Sequence, residues 1–180
     1  MDICKLKFTI LQLETFRLLC VRAGRKLTQR EIAQELDVSA TAVAKSLPKL
    51  EEEKFIIKQK SERALANYIT LNRENPLVIG CKRAENLAML YTSGLVEHLT
   101  EKYAGRTIIL FGSYAKGEDI HTSDIDLAVI GKEKKIDVQK HESILHKQIR
   151  INHYENLKGI KKELKENLCN GIVLAGSIEL

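Results

Sequence analysis

A Gly-Ser pair, Gly112-Ser113, stands ahead of two aspartates one residue apart, Asp124 and Asp126, in a chain of 180 residues. On an extended strand alternate side chains share a face, so Asp124 and Asp126 point one way and Ile125 the other. Their Cα atoms then lie about 6.5–7 Å apart, from a rise of roughly 3.3 Å per residue. Two carboxylates at that spacing can share one or two Mg²⁺ ions, with phosphate oxygens and water filling the octahedra. Gly112 lets the backbone approach a triphosphate, whose oxygens the Ser113 amide and hydroxyl can bond. Lys116 adds a point charge nearby. These residues suit in-line attack on the α-phosphate of a nucleoside triphosphate, with metal stabilising the developing charge.

The neighbouring segments supply elements to hold them. The unbroken apolar run Thr107–Phe111 predicts a buried strand that ends at Gly112. A polar loop with Gly117, Glu118, Asp119 and His121 leads to a second strand, Ser123–Ile130. A third strand is expected at Ile149–Tyr154, a helix from about Asn156 to Leu168, and a last strand at Ile172–Ala175. Gly112-Ser113 followed by Asp124-Ile125-Asp126 resembles the signature of the polymerase β-type nucleotidyltransferases. The segment Leu110-Phe111-Gly112-Ser113-Tyr114-Ala115-Lys116-Gly117 resembles their minimal subgroup in particular. The resemblance covers residues 105–180. It implies Asp124 and Asp126 as metal-binding and catalytic residues. It also implies Gly112, Ser113 and Lys116 as nucleotide-binding residues, Mg²⁺ as cofactor and ATP as the nucleotide.

The family carries a third carboxylate on a following strand. Here Asn152 takes that position, and an amide carries no charge and accepts no proton. Glu155 and His153 have the opposite strand parity. His141 and His146, five residues apart on an expected helix, do not share a face. Lys132, Lys134 and Lys135 read as a solvated loop. Lys158, Lys161, Lys162 and Lys165 read as the wet side of the last helix.

Residues 1–72 carry 13 Lys and Arg against 9 Asp and Glu, an excess of +4 that suits a polyanion. A helix is expected from Phe8 to Ala23. Thr28-Gln29-Arg30-Glu31 is a capping box that opens a second helix, and Ser39 is an N-cap for a third, with Val43, Leu47 and Leu50 facing inward. Pro48 sits late in that helix, where it removes one backbone bond. Phe55–Lys58 and Asn67–Leu71 predict two strands of a wing. This order resembles the winged helix-turn-helix of transcriptional regulators. The resemblance implies that Ala40, Thr41 and Lys45 face bases of double-stranded DNA, and that Lys49, Lys58, Lys60 and Arg63 meet phosphates. Thr41 and Lys45 carry little base information, so protein docking stays open as the alternative use.

The expected architecture is α+β: a winged helix-turn-helix (1–72), a connecting helical segment (73–104) weakened at Gly80 and Gly94, and a small nucleotidyltransferase-fold domain (105–180) with a mixed sheet flanked by helices. Cys4, Cys20, Cys81 and Cys169 are scattered, which argues against a disulfide framework or a zinc site. No apolar run reaches the roughly 18 residues of a membrane span, and the N-terminus lacks a secretory signal pattern, so a cytoplasmic protein is expected. Two functions remain open. One is a transferase passing a nucleotide to a protein or other acceptor while its first domain binds DNA as a homodimer, in the manner of a self-regulating antitoxin or regulator. The other is a transcriptional regulator that only senses nucleotide.

Overall fold

The computed structural model describes residues 7–60 and 67–178. The chain divides into two compact units, residues 1–79 and 80–180.

The first unit contains α1 (Ile10–Val21), β1 (Leu27–Thr28), α2 (Gln29–Glu35), α3 (Ala40–Glu52), β2 (Ile56–Lys60) and β3 (Asn67–Leu71). Helix α1 is shorter than Phe8–Ala23 because Thr9 caps it in a box with Gln12. Thr28 and Glu31 form the same motif on α2, with the Thr28 amide donating to the Glu31 carboxylate at 2.6 Å. Those bonds from the Thr28 amide and hydroxyl hold the Glu31 carboxyl below its ordinary pKa. Ser39 caps α3, which buries Val43, Leu47 and Leu50 and continues four residues past Pro48. Proline removes one backbone bond there without ending the helix. Strands β2 and β3 pair antiparallel, and β1 adds to the other side of β3. The two-residue β1 is too short to show an alternating pattern, so sequence periodicity does not reveal it. Phe55 meets Phe8 and Phe16 edge to face at 5.0 and 5.1 Å between ring centres.

Helix α4 (Pro76–Thr92) runs across the boundary between the units. Gly80 lies inside it without a break, whereas Gly94 adopts a left-handed φ of 74° and separates α4 from α5 (Leu95–Lys102). The rest of the second unit is β4 (Thr107–Phe111), α6 (Gly112–Lys116), β5 (Ile125–Ile130), α7 (Gln139–Leu145), β6 (Ile149–Tyr154), α8 (Lys162–Cys169) and β7 (Ile172–Ala175). The sheet order is β6-β5-β4-β7. Strand β4 is antiparallel to β5 and β7, while β6 is parallel to β5, so the sheet is mixed. A main core gathers Leu90, Leu95, Leu99, Leu110 and Leu127. A smaller one gathers Ile109, Ala128, Leu157 and Leu168.

Two expected boundaries in this unit move. Strand β5 begins at Ile125, so Asp124 is the residue just before it. Helix α8 begins at Lys162 rather than near Asn156, because the Asn156 side chain accepts the Lys158 amide at 2.9 Å and turns the chain. Lys158 therefore lies outside the helix, and Lys161 is its N-cap. Among the described residues, Cys20, Cys81 and Cys169 are not joined in disulfides. Among the described residues no helix is long and apolar enough to cross a membrane.

Candidate nucleotide and metal site

The Gly-Ser pair and the two aspartates meet at one end of the β4–β5 pair. Phe111, the last residue of β4, is in register with Asp126. The chain turns at once into α6, and Gly112 makes that turn with φ 76°. A Cβ at Gly112 would stand 2.9 Å from Oδ2 of Asp126. Both observations call for glycine: the left-handed backbone disfavours any side chain, and the carboxylate occupies its space. The backbone of Gly112 thus lies against the Asp126 carboxylate, with Ser113 next in the chain. Lys116 is exposed at the far end of this short helix.

Burial raises the Asp126 pKa from its ordinary value, Arg150 pulls it back, and Asp124 pushes it up again. The two carboxylates are therefore close enough to repel, as their spacing predicts. Strand β6 completes the site from the other side. The register sets Arg150 beside Asp126 and Asn152 beside Ala128, one step further along the same face. Arg150 Nη2 is 2.7 Å from Asp124 Oδ2. The Tyr154 hydroxyl is raised in pKa by burial and then by Asp126. His153 points away, its Nε2 3.0 Å from the Tyr103 hydroxyl. Arg150 and Tyr154 are members of the site that sequence reasoning misses. The available signal is their strand parity with Asn152.

The loop between Gly112 and Asp124 is not simply polar. Asp119 is buried, and so are Lys82, Asn86 and Lys147 around it. Lys82 and Asn86 bond one Asp119 oxygen, and Lys147 lies 3.1 Å from the other. Lys147 also donates to the carbonyls of Ile120 and Ser123 at 2.7 and 3.2 Å. Asn86 donates to the Tyr114 carbonyl at 2.9 Å. These bonds tie the loop, and with it the approach to Asp124, to helix α4.

The donor set decides what metal fits. Asp124 and Asp126 offer two carboxylates, Asn152 offers a neutral carbonyl, and Arg150 offers a cation. Among the described residues, no three His, Cys, Asp or Glu side chains come together in a group able to hold a metal ion. Two carboxylates fit one Mg²⁺ whose other ligands come from phosphate and water. They do not fit a pair of ions held by protein alone.

In the first unit, Ala40, Thr41 and Lys45 are exposed on α3. Lys49 is ion-paired with Glu52 and Glu53 at 3.1 and 2.7 Å, and Lys58 with Glu51 at 2.5 Å. Lys60 is exposed, and Arg63 lies outside the described residues. Lys58 and Arg30 help line a groove of about 750 Å³ between α3 and the wing, in which Gln29 donates to the Ala40 carbonyl at 2.6 Å.

Residues 95–177 match the polymerase beta nucleotidyltransferase family, and residues 18–57 match the winged helix-turn-helix DNA-binding family. A putative protein adenylyltransferase of Methanocaldococcus jannaschii is 36% identical over 77 residues, which cover 42% of this chain and 72% of that protein. Among solved structures, ZitR of Lactococcus lactis, a zinc-responsive MarR family member, aligns with TM-score 0.43 and 21% identity, over 58% of this chain and 69% of that one. MepR of S. aureus, in complex with DNA, aligns with TM-score 0.40 and 23% identity, over 53% of this chain and 77% of that one. The chain belongs to the polymerase beta-type nucleotidyltransferases, with a winged helix-turn-helix ahead of the nucleotidyltransferase domain.

Proposed function

We propose that the second domain binds a nucleoside triphosphate together with one Mg²⁺, and that the first domain binds double-stranded DNA as a homodimer. The observation that carries the nucleotide reading is the backbone of Gly112 lying against Asp126, with Asp124 on the neighbouring residue but one. Asp124 and Asp126 would hold the metal, which neutralises charge on the phosphates when bound. Gly112 makes room for the Asp126 carboxylate, the Ser113 amide and hydroxyl donate to phosphate, and Lys116 adds charge from the end of α6. The name of the M. jannaschii relative makes ATP the first nucleotide to try and a protein the first acceptor.

Transfer by this chain is slow on the proposed reading. An attacking hydroxyl must lose a proton, and a positioned carboxylate contributes roughly 10²- to 10⁴-fold to such a step. Asn152 cannot take that proton. Asn152 and the cationic Arg150 together favour a nucleotide-sensing regulator over a fast transferase, with an antitoxin-like regulator as one form of it. Calorimetry with Mg²⁺ and ATP tests the site: binding should vanish in the Asp124→Asn/Asp126→Asn double variant. Equal binding by that variant would remove the site assignment. Asn152→Asp should raise labelled-nucleotide transfer to an acceptor by about tenfold, and fast wild-type transfer that the substitution leaves unchanged would place the base elsewhere.

A further inference from the structure

The site faces its substrate with a cation already on one of its carboxylates. Arg150 contacts Asp124 at 2.7 Å, and its register neighbour on β5 is Asp126, the other carboxylate. The guanidinium therefore stands where a metal ion would approach Asp124. Its side chain is 65% exposed, whereas that of Asp124 is only 22% exposed. The arginine therefore has room to leave the pair into solvent. The pair is open to solvent on the arginine side, so a better partner can displace the guanidinium. A triphosphate is such a partner, because guanidinium matches phosphate oxygens with two parallel N–H donors.

We propose that Arg150 is a hand-over residue: it neutralises Asp124 while the site is empty and moves onto the triphosphate when nucleotide arrives, freeing Asp124 for the metal. The proposal rests on the nucleotide-binding reading above. It makes metal and nucleotide binding interdependent. Metal alone must compete with a guanidinium for Asp124, while metal with triphosphate gives that guanidinium a new anion. The site then discriminates against free divalent ions and favours the metal–nucleotide complex. A carboxylate at the Arg150 position would do the reverse, drawing in metal without nucleotide.

The two halves of the hand-over predict changes of opposite sign in one variant. Mn²⁺ alone is titrated against the full-length chain by the loss of its free-ion electron paramagnetic resonance signal. Mg²⁺–ATP is titrated separately by calorimetry. Arg150→Ala should bind Mn²⁺ alone at least fivefold more tightly than wild type and Mg²⁺–ATP at least tenfold more weakly. Arg150→Lys keeps the charge and loses the paired donors, so it should hold Mn²⁺ affinity near wild type while weakening Mg²⁺–ATP. Circular dichroism of each variant checks the fold. Unchanged or weaker Mn²⁺ binding by Arg150→Ala overturns the proposal even if nucleotide binds normally. Tighter binding of both Mn²⁺ and Mg²⁺–ATP also overturns it, by making Arg150 a competitor with no phosphate role. Wild-type protein that binds Mn²⁺ but no triphosphate overturns the nucleotide reading itself, a failure distinguishable from the first because the metal titration contains no nucleotide.

Discussion

One pair of lysines in each unit shows two opposite uses of the same side chain. In the winged helix, Lys49 and Lys58 sit in surface ion pairs with Glu51, Glu52 and Glu53. In the nucleotidyltransferase domain, Lys82 and Lys147 are buried against the single carboxylate of Asp119. The surface pairs open easily, since water solvates both charges once they part. The buried set cannot open without leaving a charge stranded in a medium that solvates it poorly. Cations of the first kind are available for exchange with an incoming polyanion. Cations of the second kind are committed to structure, here the loop that leads to Asp124.

Breaking the buried set should have the largest effect. Asp119→Asn leaves the buried Lys82 and Lys147 ammoniums with no carboxylate between them, and removing one partner of a buried pair costs about 3–5 kcal/mol. Urea unfolding of the full chain should show the transition of the second unit moving to lower denaturant while that of the first stays in place. A loss under about 1 kcal/mol would mean that water reaches Asp119 and that the contrast between the units is small.

A middle-sized effect tests what the site itself does to stability. Burial raises the Asp126 pKa in the folded protein. The folded state therefore holds its proton at pH values where the unfolded chain has released it. Stability from this group is full below the ordinary carboxylate range and is lost as pH rises through the raised value. At neutral pH the charged Asp126 is a net cost, and Asp126→Asn removes it. Thermal melts should show the variant stabilised by roughly 1–3 °C at neutral pH, with the gain disappearing in acid. A variant that is less stable at neutral pH would show that hydrogen bonds to Asp126 outweigh its burial.

The smallest effect belongs to the surface pairs. Lys58→Ala should change stability by no more than about 0.5 kcal/mol. If Lys58 leaves Glu51 for a phosphate, the same substitution should lower the salt dependence of DNA binding by about one unit of slope. Gel shifts at several salt concentrations measure this, and an unchanged slope would keep Lys58 on Glu51 with or without DNA.

How much the sequence discloses follows the same division. Gly112-Ser113 and Asp124/Asp126 are legible because their chemistry lies in residue types at short spacing. The caps at Thr28 and Ser39 are legible for the same reason, since a cap acts within three residues. Arg150 is not legible, because a charged residue on a strand reads as solvent-facing until the register with β5 is known. Asp119 reads as part of a polar loop, but three buried donors from α4 and from the turn before β6 surround it. Lys82, Asn86 and Leu90 fall four residues apart in one row of α4, and Leu90 is a core residue. That row carries the signal, but burial of a lysine is rare enough to make it easy to pass over.

Strand β6 lies at the edge of the sheet, with β5 on one side only. Arg150 on it is exposed, and Asn152 is half-buried. An exchange there disturbs few packed neighbours, unlike one at Asp126, which is wedged against Gly112. On the proposed reading, the position that would take the proton thus lies on an edge strand, where a replacement meets few packed neighbours. On that reading, a single substitution on β6 changes turnover while leaving the fold and the contact between Gly112 and Asp126 in place. Reactivity and folding would then rest on different strands of one sheet: the first on the edge strand β6, the second on buried β4 and β5.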